Sequence, residues 1–131
     1  MNRIVARFQD GRMLKGFTTD FLPTKDRFHV TPEEGATGVK PAEVLIADLK
    51  ALFFVKSFAG NPEHEEPVDF PEKLPAGRRI RIIFKDGEIL AGITQGFDRS
   101  RAGFFVIPVD PGSNNERCFV VTAATEKVTF V

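Results

Sequence analysis

Ile80-Arg81-Ile82-Ile83-Phe84-Lys85-Asp86-Gly87 decides how this chain is read, because the chain carries its image once more as Ile4-Val5-Ala6-Arg7-Phe8-Gln9-Asp10-Gly11. In both stretches apolar residues recur at every second place: Ile4, Ala6 and Phe8, then Ile80, Ile82 and Phe84. That period predicts a strand with one buried face. The Asp-Gly step that ends each stretch suits a tight hairpin, since both central residues tolerate positive φ. The correspondence then continues. Arg3–Val55 lies on Arg79–Val131 without a gap, with identical partners at Leu14/Leu90, Gly16/Gly92, Phe21/Phe97, Phe28/Phe104, Val30/Val106, Pro32/Pro108, Val44/Val120 and Phe54/Phe130. A register kept through both halves predicts one small folding unit present twice.

The returning strands are Arg12–Phe21 and Glu88–Phe97, each interrupted by a glycine, Gly16 or Gly92. Glycine inside a strand marks a bend of the kind small barrels need to curl closed. A third strand follows at Phe28–Val30 and Phe104–Ile107, stopped by Pro32 and Pro108. Loops at 33–42 and 109–116 lead to strands at Val44–Ala47 and Phe119–Ala123, then to final strands at Leu52–Val55 and Val128–Val131. Glu43, Ala47, Lys50 and Ala51 would also suit a helix over 41–52, but the matching Val120-Val121-Thr122 favours a strand. The expectation is an all-β chain of two tandem five-stranded Sm-like or SH3-like barrels, residues 1–55 and 79–131. Residues 56–78 carry Pro62, Pro67, Pro71 and Pro75 among acids and read as a linker.

With 131 residues, each half is near the lower limit for a self-sufficient core, so the halves are expected to lean on each other or on another subunit. Eighteen basic and eighteen acidic residues balance to zero, without the excess that non-specific nucleic-acid binding requires. Cys118 stands alone, so neither an internal disulfide nor a cysteine metal site is open to the chain. The amino-terminal residues lack a signal-like apolar core, and no apolar run reaches the length of a membrane span, which points to the cytoplasm and away from membranes.

The outer faces of the halves differ. His29, Thr31 and Glu33 in the first correspond to Phe105, Ile107 and Val109 in the second, and Arg7 corresponds to Ile83. The apolar set is expected to pack one half on the other or to meet a partner or a second copy, with Phe53, Ile83, Phe105 and Ile107 as the contact residues.

Ile80–Gly87, followed by Leu90-Ala91-Gly92 and Gly96-Phe97-Asp98, resembles the first half of an Sm-like domain. That resemblance implies a small barrel and raises RNA as a ligand. The loop where that family places a base-contacting asparagine here reads Arg99-Ser100-Arg101-Ala102-Gly103. The whole chain, through Phe53-Phe54-Val55-Lys56, Phe58-Ala59-Gly60-Asn61-Pro62, Gly103-Phe104-Phe105 and Asn114-Asn115-Glu116-Arg117, resembles an uncharacterised bacterial family of small domains that accompany receiver and PilZ signalling modules. Asp98-Arg99-Ser100-Arg101-Ala102-Gly103 is also similar to the PilZ string D/N-x-S-x-x-G. By that resemblance Arg78, Arg79 and Arg81 would be the upstream arginines gripping cyclic di-GMP, although they are not spaced R-x-x-x-R.

Catalytic signatures are not evident. His29 and His64 have no carboxylate or cysteine set at motif spacing, and His64 among Glu63, Glu65 and Glu66 reads as a solvated charge run rather than a metal site. The expectation is a non-enzymatic regulatory or adaptor module of bacterial signalling without a cofactor. It would act through protein contacts or a small ligand, with nucleotide or RNA binding as the alternative. The ligand-binding residues expected are Arg78, Arg79, Arg81, Asp98, Arg99, Ser100, Arg101, Gly103, Asn114, Asn115 and Arg117.

Overall fold

The computed structural model describes residues 2–33, 40–59, 70, 76–110 and 112–131. Most of the expected linker, His64 included, lies outside the described residues. The chain is all-β, with strands β1 (Asn2–Phe8), β2 (Met13–Thr18), β3 (Arg27–Pro32), β4 (Ala42–Leu45), β5 (Leu49–Val55), β6 (Arg78–Phe84), β7 (Ile89–Thr94), β8 (Gly103–Pro108), β9 (Asn115–Val121) and β10 (Thr125–Phe130). They form one antiparallel ten-stranded sheet in the order β10-β6-β7-β8-β9-β5-β1-β2-β3-β4.

Two features follow directly from the repeated hairpin. Gly11 and Gly87 take φ of 95° and 92° at the β1–β2 and β6–β7 turns, the left-handed conformation that glycine adopts without strain. Asp10 and Asp86 close the same turns by accepting hydrogen bonds from the amides of Arg12 and Glu88, both at 2.9 Å. Gly16 and Gly92 serve a different need. A Cβ on Gly92 would overlap Val106 Cγ1 and the Ile107 carbonyl, and one on Gly16 would overlap Val30 and the Thr31 carbonyl. Backbone-to-backbone approach of β2 to β3, and of β7 to β8, depends on those two positions.

The region 41–52 holds no α-helix. It is β4, one 3-10 turn at Ile46–Asp48, then β5, and the second half repeats this with a turn at Thr122–Ala124. The last strand of each half therefore begins three residues earlier than its apolar pattern suggested. Asn115 and Arg117 lie in β9 rather than in a loop.

Strands β5 and β9 join the halves, pairing Ala51 with Val120, Leu52 with Phe119 and Phe53 with Cys118. Every residue of β5 is buried, because successive side chains enter two different cores. Leu52 and Phe54 join Ile4, Ala6, Phe28, Val30 and Val44 in one, together with Phe119 and Val121 of β9. Ala51, Phe53 and Val55 join Ile80, Ile82, Phe84, Phe104 and Val106 in the other. Phe53, expected on a contact surface, is thus buried core of the second half, contributed by the first.

Charge fastens the same junction. Lys50, with only 5% of its side chain exposed, sends Nζ to within 2.7 Å of Asp86 Oδ2 and 3.3 Å of Glu88 Oε2. Arg7 reaches Glu88 at 3.2 Å. Lys50 also lies over the Phe84 ring at 4.6 Å, so its stem is covered by apolar surface while its head is paired.

Candidate functional site: a cleft between the two halves

The β2–β3 connection at Pro23–Asp26 and the β7–β8 connection at Gln95–Ala102 face each other across a cleft of about 870 Å³. Ile93, Phe105, Ile107 and Phe119 give it apolar walls. The second-half connection is shaped by its own sequence. Asp98 Oδ1 accepts hydrogen bonds from the Ser100 hydroxyl at 2.7 Å and the Ser100 amide at 2.9 Å. Those bonds, the hydroxyl's first, hold the Asp98 carboxyl below its ordinary range. Phe97 anchors the connection edge-on against Phe104, with ring centres 4.7 Å apart.

Four charged groups line the opening: Lys25, Asp26, Asp98 and Arg101. Asp26 is engaged by Arg27 at 3.3 Å and Asp98 by Ser100, whereas Arg101 lies 4.0 Å from Asp98 with its side chain 77% exposed. Lys25 makes no ion pair among the described residues. The two cations are therefore the charges least committed to the protein itself. The arrangement suits an apolar body carrying an anionic group.

The same place in the first half is polar. His29 stands where Phe105 stands, Thr31 where Ile107 stands, and Glu43 where Phe119 stands. There Asp20 accepts from the His29 amide at 2.9 Å and meets His29 Nδ1 at 2.7 Å. Burial raises the Asp20 carboxyl's affinity for protons, but the bonds from His29 and Thr18 outweigh it, and the carboxyl stays below its ordinary range.

The structure distributes the expected site residues over several surfaces. Asp98, Arg101 and Gly103 reach the cleft; Gly103 does so as a packing glycine whose Cβ would overlap the Val120 carbonyl and the Phe119 ring. Ser100 shapes the turn, and Arg99 lies 5.8 Å from the Phe97 ring. Arg78 stacks on Phe130 at 3.7 Å, while Arg79 and Arg81 lie 5.9 and 5.6 Å from Phe70. None of these three lines the cleft. Asn114 ties the end of β5 down: its Oδ1 accepts from the Ser57 amide at 3.0 Å and its Nδ2 donates to the Ser57 carbonyl at 2.9 Å. Asn115 opens β9 opposite Val55. Arg117 lies over Phe54 and Phe105 at 4.3 and 4.9 Å, capping the aromatic cluster at the junction.

Of the expected contact residues, Phe105 packs mainly inward, 5.2 Å from Phe119 and 6.3 Å from both Phe21 and Phe54. Ile107 remains 38% exposed in the cleft, and Ile83 is half-buried on β6 opposite Ile89. Sequence reasoning missed Lys25 and Gln95 at the cleft. The signal lay in the apolar outer face of β8, which needs a second wall from elsewhere in the chain.

Among the described residues no three His, Cys, Asp or Glu side chains gather as a metal-binding group, and no helix is long and apolar enough to cross a membrane. No curated protein and no solved structure matches the chain. The family model described as a family of unknown function, DUF6982, matches residues 1–131, the full length, and the chain belongs to that family.

Proposed function

We propose that this protein is a non-enzymatic binding module of bacterial signalling, built from two copies of one small Sm-like or SH3-like barrel, that recognises its ligand in the cleft between the halves. The observation that carries the reading is the unequal fate of equivalent surfaces. The second half keeps Phe105, Ile107 and Phe119 where the first has His29, Thr31 and Glu43, and the apolar set walls a cleft of about 870 Å³. Matching strand orders, β5-β1-β2-β3-β4 and β10-β6-β7-β8-β9, support the duplication. The ligand class is an apolar or aromatic body with an anionic group that Lys25 and Arg101 can meet.

Anilinonaphthalene sulfonate has that chemistry and tests the reading directly. The folded protein is expected to bind it saturably at one site. Ile107→Asp is expected to abolish the fluorescence gain, and Arg101→Glu to weaken binding about tenfold. Saturation unaltered by both variants would place the dye elsewhere and defeat the proposal. A second reading, cyclic di-GMP, draws on Asp98, Arg101 and Gly103 of the PilZ-like string lining this cleft. Absence of heat on titrating that nucleotide at high micromolar concentration removes it and leaves the first reading standing.

A further inference from the structure

The second half of the sheet shows how its edge is completed, and the first half repeats that edge without the completing strand. In the second half, β5 lies along β9, and Ala51, Phe53 and Val55 fill the space between Phe84, Leu90, Val120 and Ala124. Lys50, next to Ala51, is held by Asp86 and Glu88. The equivalent space in the first half is an open groove of about 530 Å³ between Phe8, Met13, Leu14, Val44, Leu45 and Asp48. Strand β4 borders it as the end of the sheet, paired among the described residues only with β3. Met13 and Leu45 are 55% and 38% exposed there. A strand edge beside uncovered apolar surface is a template for strand addition.

The charges specify the occupant. Asp10 holds the place of Asp86, and Asp48 stands where the uncharged Ala124 adjoins Lys50. Arg12 replaces Glu88, but it is bound to Asp10 at 2.7 Å and folded over the Phe8 ring at 4.6 Å. Asp48 makes no ion pair among the described residues, so a cation arriving where Lys50 sits in the other half meets a free carboxylate. A second copy of this chain is a poor fit. Its own edge strand β10 presents Glu126, Lys127 and Thr129 where β5 presents Lys50, Ala51 and Phe53.

From this juxtaposition we infer that β4 is a docking edge for an extended segment of a partner protein, one with apolar residues at alternate positions and a lysine or arginine set against Asp48. The site is separate from the cleft and stands or falls without it. The probe is a fluorescein-labelled peptide of residues 49–56, Leu-Lys-Ala-Leu-Phe-Phe-Val-Lys, read by anisotropy against the full chain. Saturable binding is expected. Backbone N-methylation at alternate peptide residues, which preserves side chains but blocks pairing, is expected to abolish it. Asp48→Lys in the protein, at an exposed position, is expected to weaken binding about tenfold and to favour a peptide whose first lysine is glutamate. A peptide that displaced β5 would set its lysine against Asp86 and Glu88, which Asp48→Lys leaves unchanged, so that reversal also excludes displacement of β5. The inference is overturned by lack of saturable binding, or by binding indifferent to N-methylation and to Asp48→Lys. It is equally overturned if light scattering shows the chain alone to oligomerise and Leu45→Lys to return it to monomer, since the occupant would then be a second copy.

Discussion

Lys50 concentrates the residue-scale argument, because its charge is buried and its partners are not. Its side chain is 5% exposed, against 52% and 43% for Asp86 and Glu88. Removing the lysine leaves two carboxylates that water can still reach, so Lys50→Met is expected to change stability by less than about 1 kcal/mol in urea unfolding. Lys50→Glu instead buries a third carboxylate against the other two and is expected to cost about 3–5 kcal/mol. Equal losses in the two variants would show that the stem's packing, not the charge, matters at this position. The same contact sets an acid limit. The hydrogen bond from Lys50, followed by that from the Glu88 amide, holds the Asp86 carboxyl below its ordinary value of 3.8. A carboxyl whose folded value is depressed contributes stability that is fully present above the unfolded value and is lost as pH falls through the folded one. Stability is therefore expected to decline as pH drops below about 4, and the decline to be shallower in Asp86→Asn, measured by urea midpoints across that range.

At the scale of elements, the two kinds of glycine give opposite forecasts for one substitution. Gly87 needs its positive φ but has open space around it, so Gly87→Ala meets only backbone strain, about 1–2 kcal/mol. Gly92 has ordinary backbone but no space, since a Cβ meets Val106 and the Ile107 carbonyl. Gly92→Ala must push β7 from β8 and is expected to cost more, about 3 kcal/mol, with altered amide chemical shifts along both strands. A smaller effect at Gly92 than at Gly87 would contradict the close-approach reading. The Gly87 turn was legible in the sequence, because hairpin chemistry is local. Gly92 reads there as a bend, whereas its role is close approach of β7 to β8, which depends on what packs across from it. The apolar outer face of β8 was legible too, spelled out directly by Phe105 and Ile107. The start of β5 was not, because the turn at Ile46–Asp48 absorbs three residues that carry no turn signature. Nor was the cleft, whose opposite wall at Pro23–Asp26 is brought there only by the β5–β9 pairing. A clue to that pairing was present. Ala51-Leu52-Phe53-Phe54-Val55 and Cys118-Phe119-Val120-Val121 are unbroken apolar runs, the mark of strands buried on both faces, and they are the two strands that meet.

For the whole molecule, the consequence of that shared pair is that neither half owns its core. The first takes Phe119 and Val121 from β9 and receives Phe105 beside them; the second takes Ala51, Phe53 and Val55 from β5. Among the described residues the 56–78 segment adds only the partly buried Phe58 to these clusters, yet a cut there separates each core from residues it cannot replace. Fully burying one Phe or Val side chain contributes about 1.5–3 kcal/mol, so the loss of Phe53 and Val55 from the second half, about 3–6 kcal/mol, amounts to much of a small domain's stability. Residues 1–55 and 79–131 made separately are expected to lack a cooperative thermal transition by circular dichroism. Mixed in equal amounts, they are expected to recover strand signal and a single transition, because β5 and β9 present complementary registers. Lys50→Glu in the first fragment is expected to prevent that recovery, since it places like charges against Asp86 and Glu88 at the joint. If either fragment alone melts cooperatively near the temperature of the intact chain, the halves are independent domains, and the cleft between them loses the rigid junction that gives it a fixed shape.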